Sequence, residues 1–89
     1  MDFKGATEFA KQLSSCMTNE ELLSLYGIYK QITCGNCNIA CPYIFQVKER
    51  AKWVEWNSHK DKNSEDLKKK YIKLVEKCLE KYSVTYGKF

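Results

Sequence analysis

Three cysteines near the middle of the 89-residue chain have a spacing that resembles a metal ligand set. Cys34, Cys37 and Cys41 follow the order C-x2-C-x3-C and Pro42 comes next, one residue off the end of a bacterial ferredoxin motif. A structural zinc or an iron–sulfur cluster generally needs four ligands, and this segment offers three. Candidates for a fourth lie elsewhere: Cys16, Cys78 and His59. We therefore expect no metal site. The alternative function is that of a helical module whose cysteines bind a metal or sense the redox state.

A second set consists of tyrosines and lysines at helical spacing. Tyr26, Tyr29 and Lys30 share one side of a predicted helix, because residues three and four apart are neighbours there. Lys48 and Lys52 have the same relation at the start of another helix, and lysines bind phosphate groups as point charges. Tyrosines on an apolar face usually belong to the core, and surface lysines are usually only solvated. The set predicts a binding site if the helices bring it to one cleft.

Charge and motif content argue against several classes of function. The net charge is +4, and Arg50 is the only arginine, whereas sequence-specific DNA readers rely on arginine for contacts with guanine. We expect no nucleic-acid partner, and a basic helical module that binds nucleic acid or protein is the non-enzyme rival. The only histidine, His59, falls in a polar turn where a surface role is expected. No paired carboxylates, glycine-rich phosphate loop or nucleophile motif is present, so we expect no catalytic residues and no enzyme.

The whole chain, residues 1–89, is expected to form a single domain, since it is long enough for one core and too short for two. No segment approaches the roughly 20 apolar residues that span a bilayer, so stable membrane insertion is not expected. The N-terminus lacks the apolar region of a secretory signal. Five cysteines are an odd number, which disfavours a disulfide framework. The sequence therefore predicts a cytoplasmic protein.

Hydrophobic periodicity predicts four helices and no strand, and hence an all-α bundle. The first helix is expected over residues 3–15. The second should begin at Thr18, with Glu21 completing a capping box, and end near Cys34, where Gly35 can take the left-handed C′ conformation.

Residues 35–48 have no helical period and predict a long ordered loop, in which four apolar side chains are expected to pack back on the core: Ile39, Tyr43, Ile44 and Phe45. The third helix should cover residues 49–60. The fourth should begin with Ser64 as its N-cap, and its apolar stripe runs from Leu67 to Tyr82.

Three segments, "EELLSLYGIYKQ", "AKWVEWN" and "SEDLKKKYIKLVEK", together resemble the acyl-CoA-binding protein family, also called diazepam-binding inhibitor. The resemblance extends from Phe3 to Tyr82 without a large insertion. It implies an up-down-down-up four-helix bundle that binds long-chain acyl-CoA esters in a bowl-shaped cleft. It also implies that acyl-CoA is a ligand and that no cofactor is needed. The expected partners are lipid-metabolising enzymes that receive acyl-CoA from a monomeric carrier.

The resemblance also implies which residues contact the ligand: Lys11, Tyr26, Gly27, Ile28, Tyr29, Lys30, Lys48, Lys52 and Tyr71. In such proteins the residues at Tyr26 and Lys30 meet the adenine and the 3′-phosphate, and Lys52 contacts the phosphorylated head. Phe3 and the first helix help to enclose the acyl chain, and Trp53 is expected in the core. The chain departs from the family pattern at the three loop cysteines and at Tyr43 and Glu49, where the family usually has glycine.

Overall fold

The computed structural model describes the backbone of residues 1–86 and side chains as far as Tyr82. The described residues form four α-helices and no strand, which confirms the all-α prediction. The helices are α1 (Phe3–Leu13), α2 (Asn19–Cys34), α3 (Val47–Asn57) and α4 (Ser64–Tyr86). None of the helices described is both long and apolar enough to cross a bilayer.

The start of α2 is fixed by the predicted capping box. The Glu21 amide donates to the Thr18 hydroxyl at 3.2 Å, and the Thr18 amide donates to the Glu21 carboxylate at 2.8 Å. These bonds satisfy two of the amides that a helix start leaves without partners. At the other end Gly35 has φ 76° and ψ −157°. The φ is positive as expected, but the ψ value lies outside the left-handed helical region, so the predicted left-handed conformation is wrong. Gly35 instead lies in a part of the map open mainly to glycine.

The start of α4 differs from the prediction. Ser64 was expected to be the N-cap, but the capping side chain belongs to Asn63, whose Oδ1 accepts from the amides of Glu65 at 2.7 Å and Asp66 at 3.4 Å. An N-cap oxygen accepts from the second and third helical amides, which makes Ser64 the first residue of the helix. The prediction of Ser64 is wrong because asparagine and serine are both good caps and lie side by side here.

The helix directions follow from side-chain contacts between them. Lys52 lies over Tyr26 and Lys30 lies over Trp56, so α2 and α3 advance together and are parallel. Tyr29 meets Tyr71, whereas Glu21 near the start of α2 accepts from Tyr82 on α4, so those two helices are antiparallel. The end of α1 is joined to the start of α2 by a short connection, and Phe3 at the start of α1 contacts Tyr29 in the second half of α2, so α1 is antiparallel to α2. This is the predicted up-down-down-up bundle.

The core lies between α1, α2 and α4. Its most enclosed side chains are Ile28 on α2 and Val75 on α4, both almost without exposure. The predicted apolar stripe of α4 contributes Leu67, Tyr71 and Cys78, all buried, which confirms the periodicity argument. Burial of each large apolar side chain stabilises the fold by about 1.5–3 kcal/mol, so this stripe holds α4 against its neighbours.

The loop between α2 and α3 is ordered by hydrogen bonds but does not pack on the core as predicted. Ile39, Tyr43, Ile44 and Phe45 are all exposed. That expectation is wrong because hydrogen bonds tie the loop backbone to α3: Arg50 donates to the Pro42 carbonyl at 3.1 Å and the Trp53 indole donates to the Ile39 carbonyl at 2.9 Å. The loop therefore passes over the outside of α3.

Candidate functional site

Three aromatic rings from three helices meet at one end of the bundle. The Phe3 ring of α1 contacts the Tyr71 ring of α4 edge-on, with centroids 5.1 Å apart, and stacks beside Tyr29 of α2 at 6.1 Å. Tyr29 and Tyr71 are 6.5 Å apart. Centroid distances of 4.5–7 Å are those of favourable ring pairs. Tyr71 is buried, while Tyr29 keeps 41% of its surface exposed, so the cluster has a buried base and an open aromatic surface.

Two lysines lie over aromatic rings beside this cluster. The Lys52 ammonium of α3 is 5.7 Å from the Tyr26 ring, and the Lys30 ammonium of α2 is 4.7 Å from the Trp56 ring. Both distances fall within the range of cation–π attraction. Each pair joins α2 to α3, because the parallel helices place Tyr26 opposite Lys52 and Lys30 opposite Trp56. The pairs hold two positive charges above a flat aromatic surface.

The face of α2 that carries these residues is left open. α1 packs on α4, and α2 packs on α3 and α4, but in the described part of the chain α1 does not pack on α3. Tyr29 points towards α1 and α4, and Tyr26 and Lys30 point towards α3. The aromatic cluster thus lies on one side of this face of α2 and the two lysine–ring pairs on the other, and we call this face the bowl.

Burial affects the chemistry of one side chain in the bowl. Removal of Tyr71 from water raises the pKa of its phenol, and the neighbouring Tyr29 adds to the effect. The Tyr71 hydroxyl is therefore neutral at physiological pH, so it can donate a hydrogen bond to a bound oxygen.

Gly27 and Ile28, two of the expected ligand contacts, lie in the packed part of the bundle. A Cβ atom added to Gly27 would be 2.7 Å from the Glu55 carbonyl oxygen, so the absence of a side chain lets α2 and α3 approach closely. Ile28 is 1% exposed and belongs to the core. Both therefore hold the helices that carry the bowl, and direct contact with the ligand stays a prediction for them.

Lys11 and Lys48, the two remaining expected ligand contacts, are both exposed. Lys11 is exposed on α1 and is 3.9 Å from Glu8. It comes eight residues after Phe3, which corresponds to about 12 Å along a helix axis. Lys48 is exposed one turn before Lys52. The structure thus pairs Tyr29 with Tyr71, Tyr26 with Lys52 and Lys30 with Trp56, and Tyr26, Tyr29 and Lys30 share one side of α2. Lys11 and Lys48 remain predicted contacts.

The opposite side of α2 carries depressions with a different character. One, between the start of α2 and the end of α4, is lined by Glu20, Glu21 and Glu80 together with Lys77 and Lys81. Alternating charges of this kind do not suit a polyanion, because carboxylates repel phosphates.

A second depression on that side lies between α2, α4 and the end of α3, and it includes His59. His59 was expected at the surface, but it is buried, and burial together with Lys62 and Lys70 lowers the pKa of its imidazole. The surface expectation is wrong because the turn folds this side chain inward.

The loop cysteines do not form a metal site or a disulfide. No group of three potential metal ligands occurs among the side chains that the structure describes, and no disulfide joins the described cysteines. Cys34 and Cys41 are exposed, while Cys78 is buried and its thiol donates to the Glu21 carboxylate at 3.8 Å.

Phe3 and Trp56 are absent from the predicted set of ligand contacts, although both contact members of it. Phe3 is expected only in the wall of the acyl chain. The parallel register of α2 and α3 would have identified Trp56, since it lies four residues after Lys52 just as Lys30 lies four after Tyr26.

The chain is similar to known proteins over most of its length. The family model described as "Acyl CoA binding protein" matches residues 1–75. A Dictyostelium discoideum protein named "Acyl-CoA-binding protein" is 44% identical over 81 residues, which cover 91% of this chain and 96% of the relative. A Saccharomyces cerevisiae protein of the same name is 40% identical over 81 residues, covering 91% and 93% of the two chains.

Solved structures give the same result for the fold. The crystal structure of Oryza sativa acyl-CoA-binding protein 2 superposes with a TM-score of 0.85 at 40% identity, covering 91% of this chain and 88% of that one. The crystal structure of an acyl-CoA-binding protein from Moniliophthora perniciosa has a TM-score of 0.73 at 27% identity, covering 88% and 81%.

Proposed function

The chain belongs to the acyl-CoA-binding protein family, and we propose that it binds medium- and long-chain acyl-CoA esters reversibly, as an acyl-CoA carrier and pool former. The observation that supports this proposal is the open bowl on α2, where an aromatic surface lies beside two lysine ammonium groups. A ligand with a flat ring, several phosphates and an apolar chain matches all parts of that surface.

The residues of the bowl fall into two groups by the part of the ligand they suit. The rings of Tyr26 and Tyr29 provide faces on which adenine can stack, and Lys30 and Lys52 supply positive charge for phosphates. Tyr71 can donate a hydrogen bond beside them. Phe3 and the apolar side of α1 provide a wall for the acyl chain. Lys11 and Lys48 extend the positive charge at the rim.

The two parts of the ligand contribute differently to binding. Burial of a methylene group stabilises by about 0.8 kcal/mol, so a dozen buried methylenes contribute on the order of 10 kcal/mol before the cost of association. One hydrogen bond to a phosphate contributes about 1.5–3 kcal/mol. The acyl chain should therefore dominate affinity, and the head should provide discrimination against free fatty acids, which leave the lysines and rings unused.

The proposed carrier needs no covalent step and no cofactor, and it acts as a cytoplasmic monomer that delivers acyl-CoA to lipid-metabolising enzymes. We assign the function to a single domain of residues 1–89, the last three of which lie outside the described residues. No nucleic acid is among the proposed partners.

Calorimetric titration with a long-chain acyl-CoA and with the matching free fatty acid tests the proposal. We expect tight binding of the ester and binding of the fatty acid that is weaker by orders of magnitude. Equal affinities would show that the aromatic and cationic surface has no part in recognition, and would refute the proposal. Native mass spectrometry of the protein as expressed should detect acyl-CoA carried through purification.

A further inference from the structure

A cluster of apolar side chains projects from the side of α3 that faces away from the bowl. We call it the apolar patch: Tyr43, Ile44, Phe45, Val47 and Val54. Ile44 is 78% exposed and Phe45 is 77% exposed. Ile44, Val47 and Val54 also line one shallow depression with Leu23 of α2. Contiguous exposed apolar surface of this kind marks an interaction site.

The loop that carries the apolar patch is held in a defined conformation. The Arg50 guanidinium donates to the Pro42 carbonyl at 3.1 Å, and the Trp53 indole donates to the Ile39 carbonyl at 2.9 Å. The Tyr43 amide donates to the Gln46 side chain at 3.1 Å. These bonds fix the loop backbone in a conformation that directs the apolar side chains towards solvent.

The rings within the apolar patch are also arranged in a regular way. Tyr43 and Phe45 stack almost parallel, with centroids 5.6 Å apart and an angle of 2° between planes. Aromatic side chains with one polar end, such as tyrosine, are enriched where proteins meet the boundary between lipid and water. The large exposed fractions of these side chains leave them available to insert into a soft surface.

The charged residues near the apolar patch indicate which kind of partner surface it binds. Residues 31–47 contain no charged side chain, and the next charged residues are Lys48, Glu49, Arg50 and Lys52. Lys52 lies over Tyr26 on the other side of α3. The charges next to the apolar segment are therefore Lys48 and Arg50 with Glu49 between them, an excess of positive charge that favours anionic lipid headgroups. It disfavours a second copy of this chain, because self-association through the patch would bring the basic residues of both copies together.

We propose that the apolar patch docks the protein on anionic lipid bilayers by shallow insertion of Ile44, Phe45 and the neighbouring apolar side chains. Val47 and Val54 lie on one side of α3, and Lys52 and Trp56 lie on the other, so docking leaves the bowl uncovered. Binding of the apolar patch to a bilayer does not depend on the proposed function. Only the exchange of acyl-CoA with the membrane during docking rests on it.

Sedimentation of the full chain with vesicles tests the inference. We expect the protein to pellet with vesicles that contain phosphatidylserine, to pellet much less with phosphatidylcholine alone, and to be released as salt rises. The double variant Ile44→Ser/Phe45→Ser should bind at least about tenfold more weakly, because two apolar side chains no longer leave water. The matched control Ile44→Leu/Phe45→Leu keeps the apolar surface and should still pellet.

Two further measurements separate this inference from its competitors. Acyl-CoA titration of the serine variant should give the native affinity, which shows that the domain is folded and that docking is a separate property. Sedimentation velocity should show a monomer. Failure of the native protein to pellet, equal pelleting of the serine variant, or a dimer that the serine substitutions dissociate would each overturn the inference. Vesicle binding by a protein without acyl-CoA affinity would refute the carrier proposal and leave docking intact.

Discussion

Substitution of Gly27 by alanine tests how closely the packing of α2 on α3 controls the bowl. On an ordinary helix this change is stabilising, because alanine has a higher helix propensity than glycine by about 1 kcal/mol. Here the added Cβ would lie 2.7 Å from the Glu55 carbonyl oxygen and 2.8 Å from its carbonyl carbon. Backbone atoms cannot rotate away, so α3 has to move.

The expected cost follows from that movement. An ordinary contact at 3.4 Å requires a shift of roughly 0.7 Å between the two helices. Overpacking of a close contact costs about 1–3 kcal/mol, and a contact with backbone belongs to the upper part of that range. After the gain in propensity, the net loss of unfolding free energy should be about 1–2 kcal/mol. The melting temperature should fall by about 5–15 °C, as expected for a domain of this size.

The shift also moves Lys52 and Trp56 relative to α2. We expect Gly27→Ala to bind acyl-CoA about tenfold more weakly, because the phosphate contacts become misaligned. Urea denaturation followed by far-UV circular dichroism measures stability, and calorimetry measures affinity. Ser24→Ala, which raises the helix propensity of α2 without adding an atom, is the matched control and should not be destabilised. A Gly27→Ala protein that is more stable than the native one would refute the close-packing argument.

Hydrogen bonding from Tyr82 lowers the pKa of Glu21 to about 2 from 4.5. The ionised carboxylate therefore stabilises the folded protein fully above pH 4.5, and this contribution to the free energy of unfolding is lost as the pH falls towards 2. Urea denaturation should show the pH dependence, and it should be absent in Glu21→Gln. Lys30→Gln should weaken acyl-CoA binding about 10- to 100-fold in calorimetry, while Lys69→Gln on the exposed surface of α4 should not, and equal effects would contradict the assignment. A hydrogen bond with a neighbouring threonine lowers the pKa of the exposed Cys34 thiol, and burial raises that of Cys78, so peptide mapping should find iodoacetamide on Cys34 first and native Cys78 unmodified.

The helices could be predicted from the sequence because each one carries its own local pattern. The capping box at Thr18 and Glu21 and the apolar stripe of α4 are local features, and the structure confirms both. The loop could not be predicted in the same way. The position of Phe45 depends on the hydrogen bonds that Arg50 and Trp53 of α3 make to the loop backbone, and these are a property of the packed bundle rather than of the segment.

The candidate site was predicted from types and spacing on α2, together with the family resemblance. Tyr29 and Lys30 indicated a site, but nothing in their spacing showed that Tyr71 would lie 6.5 Å from Tyr29. The role of Gly27 also could not be predicted, since a glycine within a helix has no periodic signal. Only the path of α3 explains why a side chain is excluded there.

The position of the ligand is the central claim, and NMR titration of the isotope-labelled protein with a long-chain acyl-CoA tests it most directly. The account predicts that the largest changes in amide and side-chain shifts occur at Tyr26, Tyr29, Lys30, Lys52 and Tyr71, on the open face of α2. Changes concentrated instead around Ser24, His59 and Lys70, on the opposite side of that helix, would contradict it.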